Sequence, residues 1–454
     1  MEEKKEIKEN KMGVLPIKKL IITMSLPMMV SMLVQALYNV VDSIFVAKIN
    51  ENALTAVTLA FPLQSLMISV GSGIGVGINA LLSRSLGEKN YERSDSAANT
   101  GIFLTFLSYL IFVFVGLFGA GPFIGSQTEE QQIIEYGTQY LQIVNCFSIG
   151  IFFQMTFERL LQSTGKTIFS MVSQATGAIV NIIMDPILIF GLLGAPKLGV
   201  AGAAIATVMG QVVAALIGMT LNIKYNREIH FSIKKIIHPK SSTIKDILFV
   251  GIPSMAMMSI GSVMTYMMNK ILIGFSTTAA AVFGVYFKLQ SFFFMPIFGL
   301  NNGLIPVVAY NYGARNKKRI EEALKFAVVL AVSIMVVGTI VFETVPDLLL
   351  TMFNASDHMK EIGIPALRII CLHFPIAGCC IALGSVFQAF AKSTYALVVS
   401  VGRQLVVLIP AAWLLSLTGN VNNVWWAFII AEGASLVLSL MMFNRIKRKL
   451  IDTL

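Results

Sequence analysis

The chain has 454 residues, of which 56% are hydrophobic and 13% charged, with a net charge of +10 and a mean hydropathy of +0.77. Soluble domains carry about 25% charged residues, so this balance excludes an ordinary one. The apolar residues recur in runs long enough to cross a bilayer as helices. Backbone groups in lipid must be satisfied internally, so such runs point to an all-α polytopic membrane protein rather than a barrel.

Residues 1–19 are polar and lack the apolar core and small-residue cleavage site of a signal peptide, so a cytoplasmic amino-terminal tail is expected. Twelve spans are predicted, at 20–47, 53–83, 95–121, 132–156, 167–193, 199–223, 245–275, 279–310, 321–346, 360–385, 393–417 and 423–444. A basic linker, 224–244, separates an amino-terminal lobe of six spans (20–223) from a carboxy-terminal lobe of six (245–444), and 445–454 forms a second basic tail. With the amino terminus inside, 27 of the 34 Lys and Arg residues fall on the inner side; only Lys48, Lys197 and Lys360 fall in outer loops. This asymmetry predicts two cytoplasmic termini and accounts for the positive charge without a nucleic-acid partner.

The two lobes repeat at an offset of 226 residues. Pro27 corresponds to Pro253, Leu63-Gln64-Ser65 to Leu289-Gln290-Ser291, Gly73 and Gly77 to Gly299 and Gly303, Gly87 and Asn90 to Gly313 and Asn316, and Gln162 and Lys166 to Gln388 and Lys392. Each lobe has an even number of spans. The lobes are therefore expected to be parallel repeats about an axis along the membrane normal, with a substrate path between them.

Polar residues inside spans are costly and mark functional positions. In span 1, Tyr38 and Asp42 lie one turn apart; in span 5, so do Asn181 and Asp185. Pro186 removes a backbone donor and frees the carbonyl of Ile182 nearby. Thr207, in span 6, follows the small residues Gly202-Ala-Ala-Ile-Ala. If spans 1, 5 and 6 meet, these oxygens could hold an alkali cation or a proton. The counterparts of Asp42 and Asp185 are Met268 and Ala411, so one such site is expected, in the amino-terminal lobe. Pro27, Pro186 and Pro253 are candidate hinges. Gln64, Lys288, Gln290 and Met295 are candidates for lining the substrate cavity, with Lys288 expected to face the bundle interior, paired or lining a water-filled cavity. Glu158-Arg159 is expected to be a structural ion pair, and Arg368, Arg403 and Glu432 a salt-bridge network in the last spans.

Enzyme chemistry is not indicated. Ser163-Thr-Gly-Lys-Thr167 lacks the upstream glycine of a phosphate loop, so no nucleotide is expected. Four cysteines in apolar runs read as buried thiols, and four histidines show no metal-ligand spacing.

The segments Leu37-Tyr-Asn-Val-Val-Asp42-Ser-Ile-Phe45, Asn181-Ile-Ile-Met-Asp185-Pro186 and Gly202–Thr207, within two six-span halves, resemble the multidrug and toxic compound extrusion transporters over nearly the whole chain. The similarity is to the branch of bacterial DNA-damage-inducible and related multidrug members. It implies two six-helix bundles forming a V-shaped cleft in a bacterial inner membrane. It also implies export of organic cations in exchange for sodium ions or protons, by a monomer with no other cofactor. Carried over, the ion site is Tyr38, Asp42, Asn181, Asp185 and Thr207, with Asp42 and Asp185 as the sodium ligands if sodium is used. The alternative is a flippase of lipid-linked precursors with the same general two-lobed fold, for which Lys270, Lys288 and Arg403 would supply a basic cavity.

Overall fold

The structure, a computed structural model, describes residues 10–353 and 355–454; the first nine residues of the expected tail lie outside the described residues. It is helical throughout, with no strand among the described residues. Ten helices are long and apolar enough to cross a membrane, and two bent helix pairs bring the spans to twelve. In order they are span 1 (Ile17–Ala47), span 2 (Glu51–Gly87), span 3 (Tyr91–Gly125), span 4 (Gln131–Cys146 and Ile149–Ser163), span 5 (Thr167–Phe190) and span 6 (Val200–Tyr225). Then follow span 7 (Ser241–Ile273), span 8 (Thr277–Gly313), span 9 (Lys317–Thr344), span 10 (Asp357–Cys371 and Phe374–Ala389), span 11 (Ser393–Ser416) and span 12 (Val421–Ile451). Spans 4 and 10, which the hydropathy pattern reads as single helices, are bent by 46° and 48°.

The 226-residue repeat extends to backbone detail. Asn50 and Ser276 cap spans 2 and 8, accepting from Ala53 N and Ala279 N; Asn90 and Asn316 cap spans 3 and 9, accepting from Arg93 N and Arg319 N. Lys89 and Arg315 share a left-handed turn (φ 57° and 54°), as do Gly165 and Ala391 (φ 86° and 56°).

Span 1 packs against span 8, span 2 against span 7, and spans 2 and 8 against each other. The first two contacts are images of one another under the repeat. Lipid offers no hydrophobic drive between helices, so close approach has to come from small residues. A Cβ on Gly73 would sit 2.8 Å from the Gly251 carbonyl oxygen, and one on Gly299 would sit 2.5 Å from Met29 N. At the span ends, Gly87 lies on the carbonyl of Tyr310 while Gly313 lies on that of Arg84. The halves thus meet through a reciprocal row of glycines at the end of the bundle that carries the basic loops.

Toward the opposite end they part. From Gly71 to Gly87, span 2 is buried on all sides except at Arg84, whereas from Glu51 to Leu66 only Ala53, Ala56 and Ala60 are buried. Span 8 behaves alike: Pro296 to Asn311 is largely enclosed, while Gly284, Lys288 and Phe292 form an uncovered stripe. The bundle is closed at its basic end and open at the other.

Pro27, Pro186 and Pro253 all lie inside continuous helices.

A candidate cation site among spans 1, 5 and 6

Span 6 fits against span 5 through glycines. A Cβ on Gly177 would lie 2.7 Å from the Gly210 carbonyl oxygen, one on Gly210 would lie 2.6 Å from that of Gly177, and one on Gly202 would lie 2.5 Å from that of Leu188. This contact sets the rotation of both helices, so that Asn181 Nδ2 donates to Thr207 Oγ1 at 3.3 Å. Ser173 Oγ donates to the Ala214 carbonyl on the same seam at 2.7 Å.

Span 1 packs along span 5. Gln174 Nε2 donates to Gln35 Oε1 at 3.1 Å, and further along the same pair of helices the carboxyl groups of Asp42 and Asp185 face each other within hydrogen-bonding reach. Asp42 Oδ1 and both Asp185 oxygens are buried with no donor to them among the described residues, as is Asn181 Oδ1. Asp185, Asn181 and Thr207 are buried and Asp42 half-buried. Tyr38 interacts electrostatically with both acids, and so does Tyr140, on span 4, whose hydroxyl lies near Gln64.

Four orphaned oxygens around two carboxylates would be costly unless something satisfies them. A hard cation or a shared proton would do so. The side chains gathered here offer oxygen donors only, the kind that hard cations prefer.

The structure brings Tyr38, Asp42, Asn181, Asp185 and Thr207 together. Gln64 joins their surroundings through Tyr140. Lys288 is exposed, without an ion pair among the described residues, and Gln290 and Met295 are half-buried on the same span. Lys288 is thus absent from the packed interior, because it belongs to the stripe of span 8 that its own half leaves uncovered.

Two expected pairings change. Glu158 and Arg159 do not pair with each other: consecutive residues point about 100° apart on a helix. Instead Gln154 Nε2 donates to Glu158 at 3.0 Å. Arg159 Nη1 donates to Gln162 Oε1 at 3.0 Å and across to Asn302 Oδ1 of span 8 at 2.9 Å. The expected network of Arg368, Arg403 and Glu432 separates into two parts. Arg403 Nη1 lies 3.1 Å from Glu432 Oε2, and His373 Nδ1 lies 3.6 Å from the same oxygen. Arg368 lies apart, 3.9 Å from Glu343. His373, at the bend of span 10, is also hydrogen-bonded to the Tyr286 hydroxyl at 3.1 Å. All four cysteines are free.

The sequence pattern that defines the MatE family matches residues 27–187 and 253–414, the second match beginning 226 residues after the first. The chain belongs to the MatE family. Among MatE-type relatives, it is 25% identical over 427 residues to the multidrug export protein MepA of Staphylococcus haemolyticus (strain JCSC1435), covering 94% of this chain and 93% of that protein. Its fold superposes with a TM-score of 0.92 on a multidrug resistance MATE family transporter of the MOP superfamily in an outward-facing conformation, at 24% identity over 98% of this chain and 99% of that one. A MOP superfamily transporter from Pyrococcus furiosus, described as having a binding pocket of reverse polarity that suggests a different function, superposes with a TM-score of 0.90 at 25% identity over 97% of this chain and 98% of that one. The chain is therefore a transporter rather than an enzyme.

Proposed function

We propose that this MatE protein is a secondary active multidrug exporter, moving lipophilic organic cations outward by alternating access in exchange for sodium ions or protons. The staphylococcal relatives are named as multidrug exporters and match nearly end to end. The observation that carries the coupling is the facing pair Asp42 and Asp185, with orphaned oxygens, on helices that also touch the other half: span 1 packs on both span 5 and span 8. Neutralising the pair with a cation or proton changes how span 1 seats on span 5, and span 1 carries that change to span 8. Drug bound between the lobes (20–223 and 245–444) disfavours the ion by the same free energy by which the ion disfavours the drug. By the distribution of basic residues, the closed end faces the cytoplasm with both termini, in a bacterial inner membrane. The structure then corresponds to the outward-open state. Gln64, Lys288, Gln290 and Met295 are the proposed cavity contacts, and Pro27, Pro186 and Pro253 the points where spans bend.

The test is efflux from sealed vesicles by Asp42→Asn and Asp185→Asn, under sodium and proton gradients imposed separately. Loss of gradient-driven efflux in both supports the site; wild-type coupling in both rejects it.

The flippase alternative draws on Lys288 and Lys270, which are exposed with no carboxylate partner among the described residues, whereas Arg403 is neutralised by Glu432. Tighter binding of a polyprenyl pyrophosphate than of a lipophilic cation would favour it.

A further inference from the structure

We infer that residues 10–16, ahead of span 1, are a latch that holds the basic end closed, with Arg319 as its positioning residue. The inference rests on the alternating-access reading above.

The segment crosses the seam between the halves. On one side, Asn10 Nδ2 donates to the Thr164 carbonyl of the first half at 3.0 Å and to Glu228 Oε1 of the linker at 3.4 Å, and Glu228 is also paired with Lys166 of the first half. The turn at Gly165 (φ 86°) brings its Cα face against the Lys11 side chain. On the second half, Arg319 Nη2 donates to the carbonyls of Met12 and Leu15 at 2.9 and 2.8 Å, while its Nε donates to Asn311 Oδ1 at 2.9 Å. Asn311 Nδ2 closes the ring on the Met12 carbonyl at 3.2 Å. Met12 is fully buried, and Gly13 lies against the Tyr310 ring.

The contacts suit a reversible lock. Arg319 binds backbone carbonyls, which a short helix leaves without partners at its end, so one charged group satisfies two acceptors and fixes the path of the chain. The residues it engages lie beside the glycine contacts of Gly87 and Gly313, which would separate when the basic end opens.

The repeat supplies a counterpart. The linker that precedes span 7 docks on span 3 of the first half: His230 N donates to Asp95 Oδ1 at 2.7 Å, Ser232 N to Asn99 Oδ1 at 2.8 Å, and Asn99 Nδ2 to the His230 carbonyl at 2.9 Å. Each half is thus preceded by a segment that reaches the third span of the other half. The chemistry differs at the matching arginines: Arg93 pairs with a carboxylate, Asp246, at 3.1 Å, whereas the side-chain hydrogen bonds of Arg319 among the described residues go to neutral oxygens. The linker side is further tied by Lys240 to Glu92 at 2.7 Å and by Ser96 to Thr243 at 3.0 Å. Among the described residues, the amino-terminal side is therefore the one held without a cross-half ion pair to the arginine.

The test is hydrogen–deuterium exchange on the purified full chain in lipid nanodiscs, comparing wild type with Arg319→Gln, Arg319→Lys and Asn10→Ala. Losing charge-assisted bonds to the segment should speed exchange about tenfold or more, both in 12–24 and in the glycine-bearing ends 73–87 and 299–313. Spans 5 and 6 should exchange as in wild type, and Arg319→Lys should fall between. Asn10→Ala cuts the other end of the latch and decides the matter if Arg319→Gln does not fold. Wild-type exchange at 73–87 and 299–313 in the folded variants overturns the latch. The readout needs no substrate, so a chain that opens in this test yet transports nothing would retain the latch and lose the transport reading.

Discussion

Asn181 donates its side-chain amide to the Thr207 hydroxyl at 3.3 Å, across the seam where Gly177 and Gly210 bring spans 5 and 6 into backbone contact. The amide nitrogen is thereby fixed on Thr207, while the Asn181 carbonyl oxygen has no partner among the described residues. Thr207→Val should remove the acceptor and leave a buried amide unsatisfied, at a cost of about 1–3 kcal/mol. The coupling-ion concentration for half-maximal efflux should rise about tenfold or more, and Thr207→Ser should restore it. Vesicle efflux titrated against the driving ion measures this.

The glycine row makes a steric prediction with a symmetry check. An alanine methyl at Gly87 or Gly313 would be driven into a backbone carbonyl of the other half, which cannot rotate away. Each substitution should destabilise the closed form by about 1–3 kcal/mol, and by similar amounts because the two contacts are images. Gly125→Ala, where nothing lies within 4 Å, is the control and should be silent. Thermal unfolding in detergent compares all three.

In the second half, Glu432 is buried at 2% exposure and depends on Arg403 and His373. Arg403→Met should cost about 3–5 kcal/mol, since it strands a buried carboxylate. Adding Glu432→Gln should recover much of the loss. A double-mutant cycle by thermal unfolding reads the coupling, and additive losses would show that the two residues act separately.

Lys11 carries a pH dependence outside the membrane. Burial of its ammonium, with Lys166 close by, holds its pKa below the usual lysine range. The docked segment therefore binds this proton less tightly than the released one. Between the lowered pKa and the free value of about 10.4 the released form carries more protons, so docking should strengthen as pH rises through that window. Lys11→Met should dock more firmly at neutral pH and lose the dependence. The mobility of a nitroxide attached through Val14→Cys reports docking directly.

Much of this is legible in the sequence. Hydropathy locates the twelve spans because crossing a bilayer demands long apolar runs, and Asp42 and Asp185 stand out because such acids are expensive there. The bend of span 10 does have a local mark, Pro375, which denies a hydrogen bond to the Cys371 carbonyl at the break, and that of span 4 a weaker one in Gly150; hydropathy alone shows neither. Gln35, Gln174 and Tyr140 were also missed, since one polar residue in an apolar helix gives no sign of which neighbour it will meet. The Glu158-Arg159 pairing failed for a reason the helix period already contains. His373 has no metal-ligand spacing and its partners come from spans 8 and 12, so nothing local marks it in the sequence.

Gly87 on the Tyr310 carbonyl and Gly313 on the Arg84 carbonyl form a self-complementary contact, the kind that joins identical subunits about a twofold axis. A single half thus already presents both faces of the surface it needs. The two halves meet with the contact chemistry of a homodimer, although only the first carries Asp42 and Asp185. Two polypeptides made by cutting the linker should still find each other in the membrane without the covalent bond between them.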